Sequence, residues 1–343
     1  LLLVPILAAL PAAAQIVDEQ TKDYEDQDRR YQERYREEEE KDGAPAERID
    51  PEAFLAKAEE LVQDKNYWSR SSDHYRVQTN DPRLDSKATL ELLDSFRSFF
   101  DSFWTGRVEL RRYDEKSRVF LLDSFYLYNQ LLNADYRGRL SRPKGHYVSF
   151  FNVIVLHTTA DNPADLPDSL VHEAAHQLVD RRLFSSDRPP SLWVSEGLAS
   201  YFGYTFRDGS GEFRPGLVGG KSTVLLEGAP ERGKEGPDRL RRFRRTVKSF
   251  PLGDSSLVEW LVEVQDPALF YGENVDFRYS TSWLLVHFLL HGEDGRHAGA
   301  FARYVTREVR GGGGRDALFE ELGVTPEALD AALLSHLKQI KTR

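Results

Sequence analysis

Apolar residues recur at regular spacing from about residue 50 onward and hardly at all over 15–48. Asp50-Pro51 has the form of a helix start, a cap followed by proline in the first turn, and Phe54, Leu55, Ala58, Leu61 and Val62 follow at helical spacing. The segment 74–79 alternates around Tyr75 and Val77 and predicts a strand. The segment 84–104 carries Leu92, Leu93, Phe96, Phe99, Phe100 and Phe103 and predicts a helix. Further strands are predicted at 108–112, 118–122 and 147–157. From Asp168 the pattern is mainly helical, over 168–183, 191–202, 238–248, 278–291, 297–309, 315–322 and 326–341. The expected fold class is α+β, a mixed sheet with helices packed on it and a mainly helical C-terminal part.

The two ends of the composition divide the chain further. Leu1 to Leu10 is almost wholly apolar and runs into Pro11-Ala12-Ala13-Ala14-Gln15, where Ala12 and Ala14 give the small-x-small pattern of a signal-peptidase site. Residues 1–14 are therefore expected to be a secretion signal and the protein to be exported, periplasmic or secreted. An apolar run of about 14 residues falls short of the roughly 20 that span a bilayer, so no integral span is expected in the mature form. Residues 15–48, with Glu37-Glu38-Glu39-Glu40-Lys41-Asp42 leading to Gly43-Ala44-Pro45, read as a charged tether or solvated helix.

At 343 residues and 40% apolar content the chain can bury one large or two moderate cores. A formal net charge of −10 disfavours a nucleic-acid partner, which needs a basic face to displace counterions. Cysteine is absent, which removes disulfides, thiolate metal ligands and thiol nucleophiles together.

Candidate chemistry centres on Val171-His172-Glu173-Ala174-Ala175-His176. On a helix, histidines at i and i+4 stand one turn apart on one face, so His172 and His176 can bind one zinc ion. Glu173 is rotated about 100° from His172, which sets its carboxylate beside the metal and suits it to take the proton of an attacking water. The flanking Leu170, Val171, Leu178 and Val179 make this a helix apolar enough to be buried.

A third ligand is expected from the helix that follows Pro189-Pro190 and stops at Gly203. Glu196 is the only acid among Leu192, Trp193, Val194, Leu198 and Phe202, and a carboxylate buried alone there would cost several kcal/mol, so it is either metal-bound or paired with an arginine. The metal is preferred because the histidine pair lies upstream. The metzincin pattern is excluded, since Val179 and Arg182 stand where it requires glycine and histidine.

His172-Glu173-x-x-His176, 19 intervening residues, and Trp193-Val194-Ser195-Glu196-Gly197-Leu198-Ala199 together resemble the gluzincin superfamily of zinc metallopeptidases. The second segment is similar to the corresponding stretch of the zinc aminopeptidases, and the overall pattern to exported bacterial gluzincin-like proteins. The resemblance implies a gluzincin-like mixed sheet packed on the His-Glu-x-x-His helix, with 49–205 as the α+β and zinc-helix part and 206–343 as the helical part. It implies one Zn2+ held by His172, His176 and Glu196, Glu173 as general base, and a peptide or protein substrate.

The aromatic-rich helix around Phe277-Arg278-Tyr279-Ser280 resembles the tyrosine-bearing helix of that superfamily, and by that match Tyr279 stabilises the oxyanion; otherwise it is a core aromatic with a satisfied hydroxyl. No Gly-x-Met-Glu-Asn exopeptidase segment is present. A zinc-containing binding or scaffolding protein, and a zinc hydrolase of a non-peptide amide or ester, are the alternative readings.

Three remaining features are read blandly. The basic run Arg239 to Arg245 is expected to be a solvated helix face, and Gly311 to Gly314 a flexible turn. His291 and His297 are expected at the surface or as caps near Gly292 and Gly295. Ser200 and Asp168 are expected to support the ligand histidines.

Overall fold

The computed structural model describes residues 50–63, 66–136, 144–158, 163–185, 188–207, 211–218, 224–229, 244, 247 and 256–340. The apolar run 1–14, the charged stretch 15–48 and most of the basic segment 238–248 lie outside them.

Asp50 accepts the Glu52 N–H and Pro51 opens helix α1 (Pro51–Val62), as the cap-proline pair implies. Strands β1 (Trp68–Ser71) and β2 (Tyr75–Thr79) pair antiparallel. Helix α2 (Ser86–Trp104), capped by Asp85 on the N–H groups of Lys87 and Ala88, leads to β3 (Ser117–Leu122), which runs parallel to β2. Helix α3 (Phe125–Tyr136) and strands β4 (Gly145–Val148) and β5 (Val153–His157) complete the sheet, in the order β1-β2-β3-β5-β4 with β4 antiparallel at one edge.

Strand alternation sorts the sheet's residues to two faces. Val119, Leu121, Ile154 and Leu156 enter the larger core with Tyr75, Val77 and the inner faces of α2 and the metal-motif helix. Phe120, Leu122, Val153 and Val155 point the other way, onto Phe54, Ala58 and Val62 of α1 and Tyr128, Leu131 and Leu132 of α3. The protein is thus α+β, with a small mixed sheet covered on both faces.

Two expected strands differ. The run 147–157 is a hairpin, because Asn152 takes a left-handed conformation (φ 53°) after a short 3-10 turn at Ser149–Phe151 and folds β4 back on β5. Continuous hydrophobicity through Phe150 and Phe151 hides that turn. The segment 108–112 is not a strand: Arg111 N–H donates to Arg182 O at 2.8 Å and the Arg182 guanidinium to Arg111 O, so its backbone is taken up by a helix end instead of a ladder. The short β1 and helix α3 carry no periodicity that announces them.

The second half is helical around the candidate chemistry. Helix α4 (Leu166–Leu178) carries the motif and widens into a π turn at Val179–Leu183. Helix α5 (Leu192–Gly203) follows, then a hairpin of β6 (Thr205–Arg207) and β7 (Phe213–Val218). After them come α6 (Leu257–Val262), α7 (Pro267–Phe270), α8 (Val275–His291), α9 (Ala298–Val309), α10 (Arg315–Leu322) and α11 (Pro326–Gln339). Helix α8 is buried from Phe277 to Leu290 except at Tyr279. Its backbone comes close to α5 at Gly197, where an added Cβ would lie 2.8 Å from Ser282 O. Among the described residues no helix is long and apolar enough to cross a membrane.

Candidate metal centre

Helices α4 and α5 lie against each other, and α8 covers α5, so the motif's half-buried histidines meet the buried Glu196 at one junction. His172 Nε2 and His176 Nε2 are 3.2 Å apart. Glu196 Oε2 is 3.5 Å from the first and 3.4 Å from the second. A tetrahedral ion with bonds of about 2.0–2.1 Å sets its ligand atoms roughly 3.3–3.4 Å apart, so the triangle has the dimensions of three ligands around one metal.

The chemistry of the donors agrees with that geometry. Glu196 is 3% exposed, and its Oε2 is buried without a hydrogen-bond partner of ordinary geometry among the described residues. An orphaned carboxylate oxygen in such a place is costly unless a cation faces it. Burial pushes the Glu196 carboxyl up, but His176 and His172 outweigh it and hold it well below the usual range. For His176, burial lowers and the Glu196 charge raises, with a net rise. Among the described residues, His172, His176 and Glu196 are the one cluster of three or more such side chains with metal-site spacing.

Two of the three ligand side chains are held by a neighbour. His176 Nδ1 is 3.0 Å from Ser195 Oγ, leaving Nε2 for the centre. The Tyr271 hydroxyl donates to Glu196 Oε1 at 2.8 Å, leaving Oε2. Ser195 adjoins Glu196 in the sequence, whereas nothing local marks Tyr271, which arrives from the turn after α7. Of the supports expected from the sequence, Asp168 instead pairs with Arg207 in a buried ion pair at 3.2 Å, and the buried Ser200 Oγ makes no hydrogen bond among the described residues.

Glu173 stands beside the triangle, buried, its carboxylate accepting the backbone N–H of Tyr147 on β4. Strand and helix touch there: a Cβ on Gly145 would lie 2.9 Å from Glu173 Cγ. Burial raises the Glu173 carboxyl above its ordinary value, against the histidines' opposing effect. His146, also on β4, was not singled out by the sequence; burial first and the His176 charge second lower it to about 4. Tyr279 lies beside His172, its ring near-parallel with centroids 6.3 Å apart.

The other histidines differ from expectation. His297 occupies the N-cap position of α9, but its side chain makes no capping bond; it is buried, 3.2 Å from a Glu293 carboxylate oxygen. His291 is not a surface group: its Nε2 is 2.7 Å from the Tyr201 hydroxyl and its ring packs on His287, four residues earlier on α8.

No protein-family model matches the chain, and no curated protein matches it.

Proposed function

We propose that this chain is a zinc-dependent peptidase of gluzincin type, in which His172, His176 and Glu196 hold the metal and Glu173 is the general base. The observation that carries the reading is the 3.2, 3.4 and 3.5 Å triangle of ligand atoms with a non-ligating buried glutamate beside it. A structural metal site needs ligands only, so Glu173 favours catalysis over a scaffolding role.

A zinc ion bound there would polarise a carbonyl and make water a nucleophile near neutral pH. The chain's own groups do the rest. Glu173, raised by burial, is suited to take the proton of the attacking water and return it to the leaving nitrogen. The half-buried Tyr279, whose ring lies beside His172, is the group that this reading assigns to donate to a developing oxyanion.

A peptide is favoured over a compact amide or ester by β4. It is the edge strand, paired with β5 on one side only among the described residues. Because Tyr147 N–H points to Glu173, the backbone of that residue faces the unpaired side, at the site. An extended main chain can add to such an edge. Export of the mature chain belongs to the same proposal and rests on the apolar run and small-x-small pattern of residues 1–14.

The test is metal analysis of the purified chain beside His176→Ala and Glu196→Ala, followed by a mixed-peptide cleavage assay. About one zinc in the parent, little in both variants, and cleavage abolished by Glu173→Gln support the reading. Zinc unaffected by Glu196→Ala, or cleavage surviving Glu173→Gln, would refute it.

A further inference from the structure

We propose that Tyr271 is a positioning residue that fixes Glu196 as a one-oxygen ligand; the proposal rests on the reading that His172, His176 and Glu196 hold a metal.

A glutamate at a metal has two oxygens and can bind through either or both. In this site they are made unequal. Oε1 accepts the Tyr271 hydroxyl at 2.8 Å, while Oε2 is the buried, unsatisfied oxygen that faces both histidine nitrogens. A hydroxyl-to-carboxylate bond is charge-assisted and directional, so it holds the carboxylate plane as well as occupying one oxygen. A phenol ordinarily titrates at about 10 and a carboxylate oxygen can only accept, so the Tyr271 hydroxyl is the donor of this bond.

The turn that carries Tyr271 is itself tied down on both sides. Asp266 caps α7 by accepting the Ala268 N–H at 2.9 Å, and Tyr271 N–H closes the helix on Pro267 O at 2.9 Å. Gly272 passes so near Ala268 O that an added Cβ would lie 2.7 Å from it. Arg278, on the first turns of α8, donates from Nη1 to Glu273 O at 2.5 Å and reaches Phe270 O at 3.4 Å. Its guanidinium sits 4.9 Å from the Trp260 ring centre. The backbone before and after Tyr271 is therefore anchored to α8, the helix that packs on the Glu196 helix.

The ring needs little from its surroundings. Tyr271 is 38% exposed, and Tyr271→Phe removes the hydroxyl while keeping the ring and its contact with Phe270. The variant thus isolates one hydrogen bond. Partners of metal ligands are typically worth about 10–100-fold in metal affinity, and that is the size of the effect expected.

The experiment measures zinc dissociation constants by chelator competition for the full chain and Tyr271→Phe, with the urea midpoint of each metal-free protein and the visible absorption of each Co2+-loaded protein. Support is a zinc affinity weakened by at least about tenfold in a variant whose metal-free form still unfolds in one cooperative transition, with a Co2+ spectrum altered toward higher coordination as Oε1 becomes free to bind. A parent that binds one zinc and a variant with the same affinity and spectrum would overturn the role of Tyr271 while leaving the metal site standing. A parent that binds no zinc would overturn both.

Discussion

His176 and Ser195 are joined across the two helices of the site, Nδ1 to Oγ at 3.0 Å. The bond ties the second histidine of α4 to the residue just before Glu196 on α5. One helix–helix contact therefore orients two ligands at once, and the imidazole cannot rotate without giving up this partner. Ser195→Ala is expected to weaken zinc binding by about tenfold, the low end for a ligand's supporting partner, because the ring stays packed but loses its angular restraint. Chelator competition at fixed pH measures it; an unchanged constant would show that packing alone orients His176.

The two tyrosines should separate in kinetics. Tyr279 packs its ring beside His172, whereas the Tyr271 hydroxyl bonds Glu196 directly. Tyr279→Phe is expected to lower kcat roughly 10²–10³-fold with zinc content unchanged, since an oxyanion donor acts only in the transition state. Steady-state kinetics with metal analysis on the same sample tests this. A loss confined to KM would assign Tyr279 to substrate binding instead.

Gly197 follows Glu196 for a reason of space. A Cβ there would lie 2.8 Å from Ser282 O and 2.8 Å from Val286 Cγ2, and the first of these is backbone that cannot turn away. Gly197→Ala should push α5 from α8 and destabilise the metal-free chain by about 1–3 kcal/mol, the usual cost of overpacking. Urea unfolding measures it. Gly203→Ala, whose Cβ would meet Asp168 O at 3.1 Å and His172 Cβ at 3.2 Å, should be the milder change.

What the sequence made legible follows from locality. The helix start at Asp50-Pro51 is written in adjacent residues, and α1 begins there. The His172, Glu173 and His176 set is likewise local, and Glu196 was exposed by being the one acid on an apolar helix. Tyr271 could not be read the same way, because its role depends on a turn 75 positions from Glu196. The β4–β5 hairpin was masked for a different reason: Asn152 is the only turn signal within an apolar run, and its left-handed backbone is needed to show the reversal.

The histidines of the helical half set an acid limit on stability. His287 Nε2 is 3.2 Å from Gly216 O, an acceptor, so that nitrogen carries the hydrogen. Nδ1 must then accept from His336 Nε2 at 2.8 Å, and a proton on Nδ1 would turn two N–H groups against each other. His291, near His336 and Arg107, shares the cluster. Burial first and these neighbours second lower His287 to about 3 and His291 to about 4, from an ordinary value of 6.5. As pH falls below 6.5 the unfolded chain binds protons that the folded chain refuses, so stability present above 6.5 is lost on acidification, and most of the loss falls between 6.5 and 4. Each such histidine contributes a slope of at most about 1.4 kcal/mol per pH unit. Urea titrations of the metal-free protein at pH 7.5, 6.0 and 5.0 should show this decline, and His291→Asn should make it shallower. Equal slopes in the two proteins would mean that His291 is protonated as readily in the folded chain as in the unfolded one.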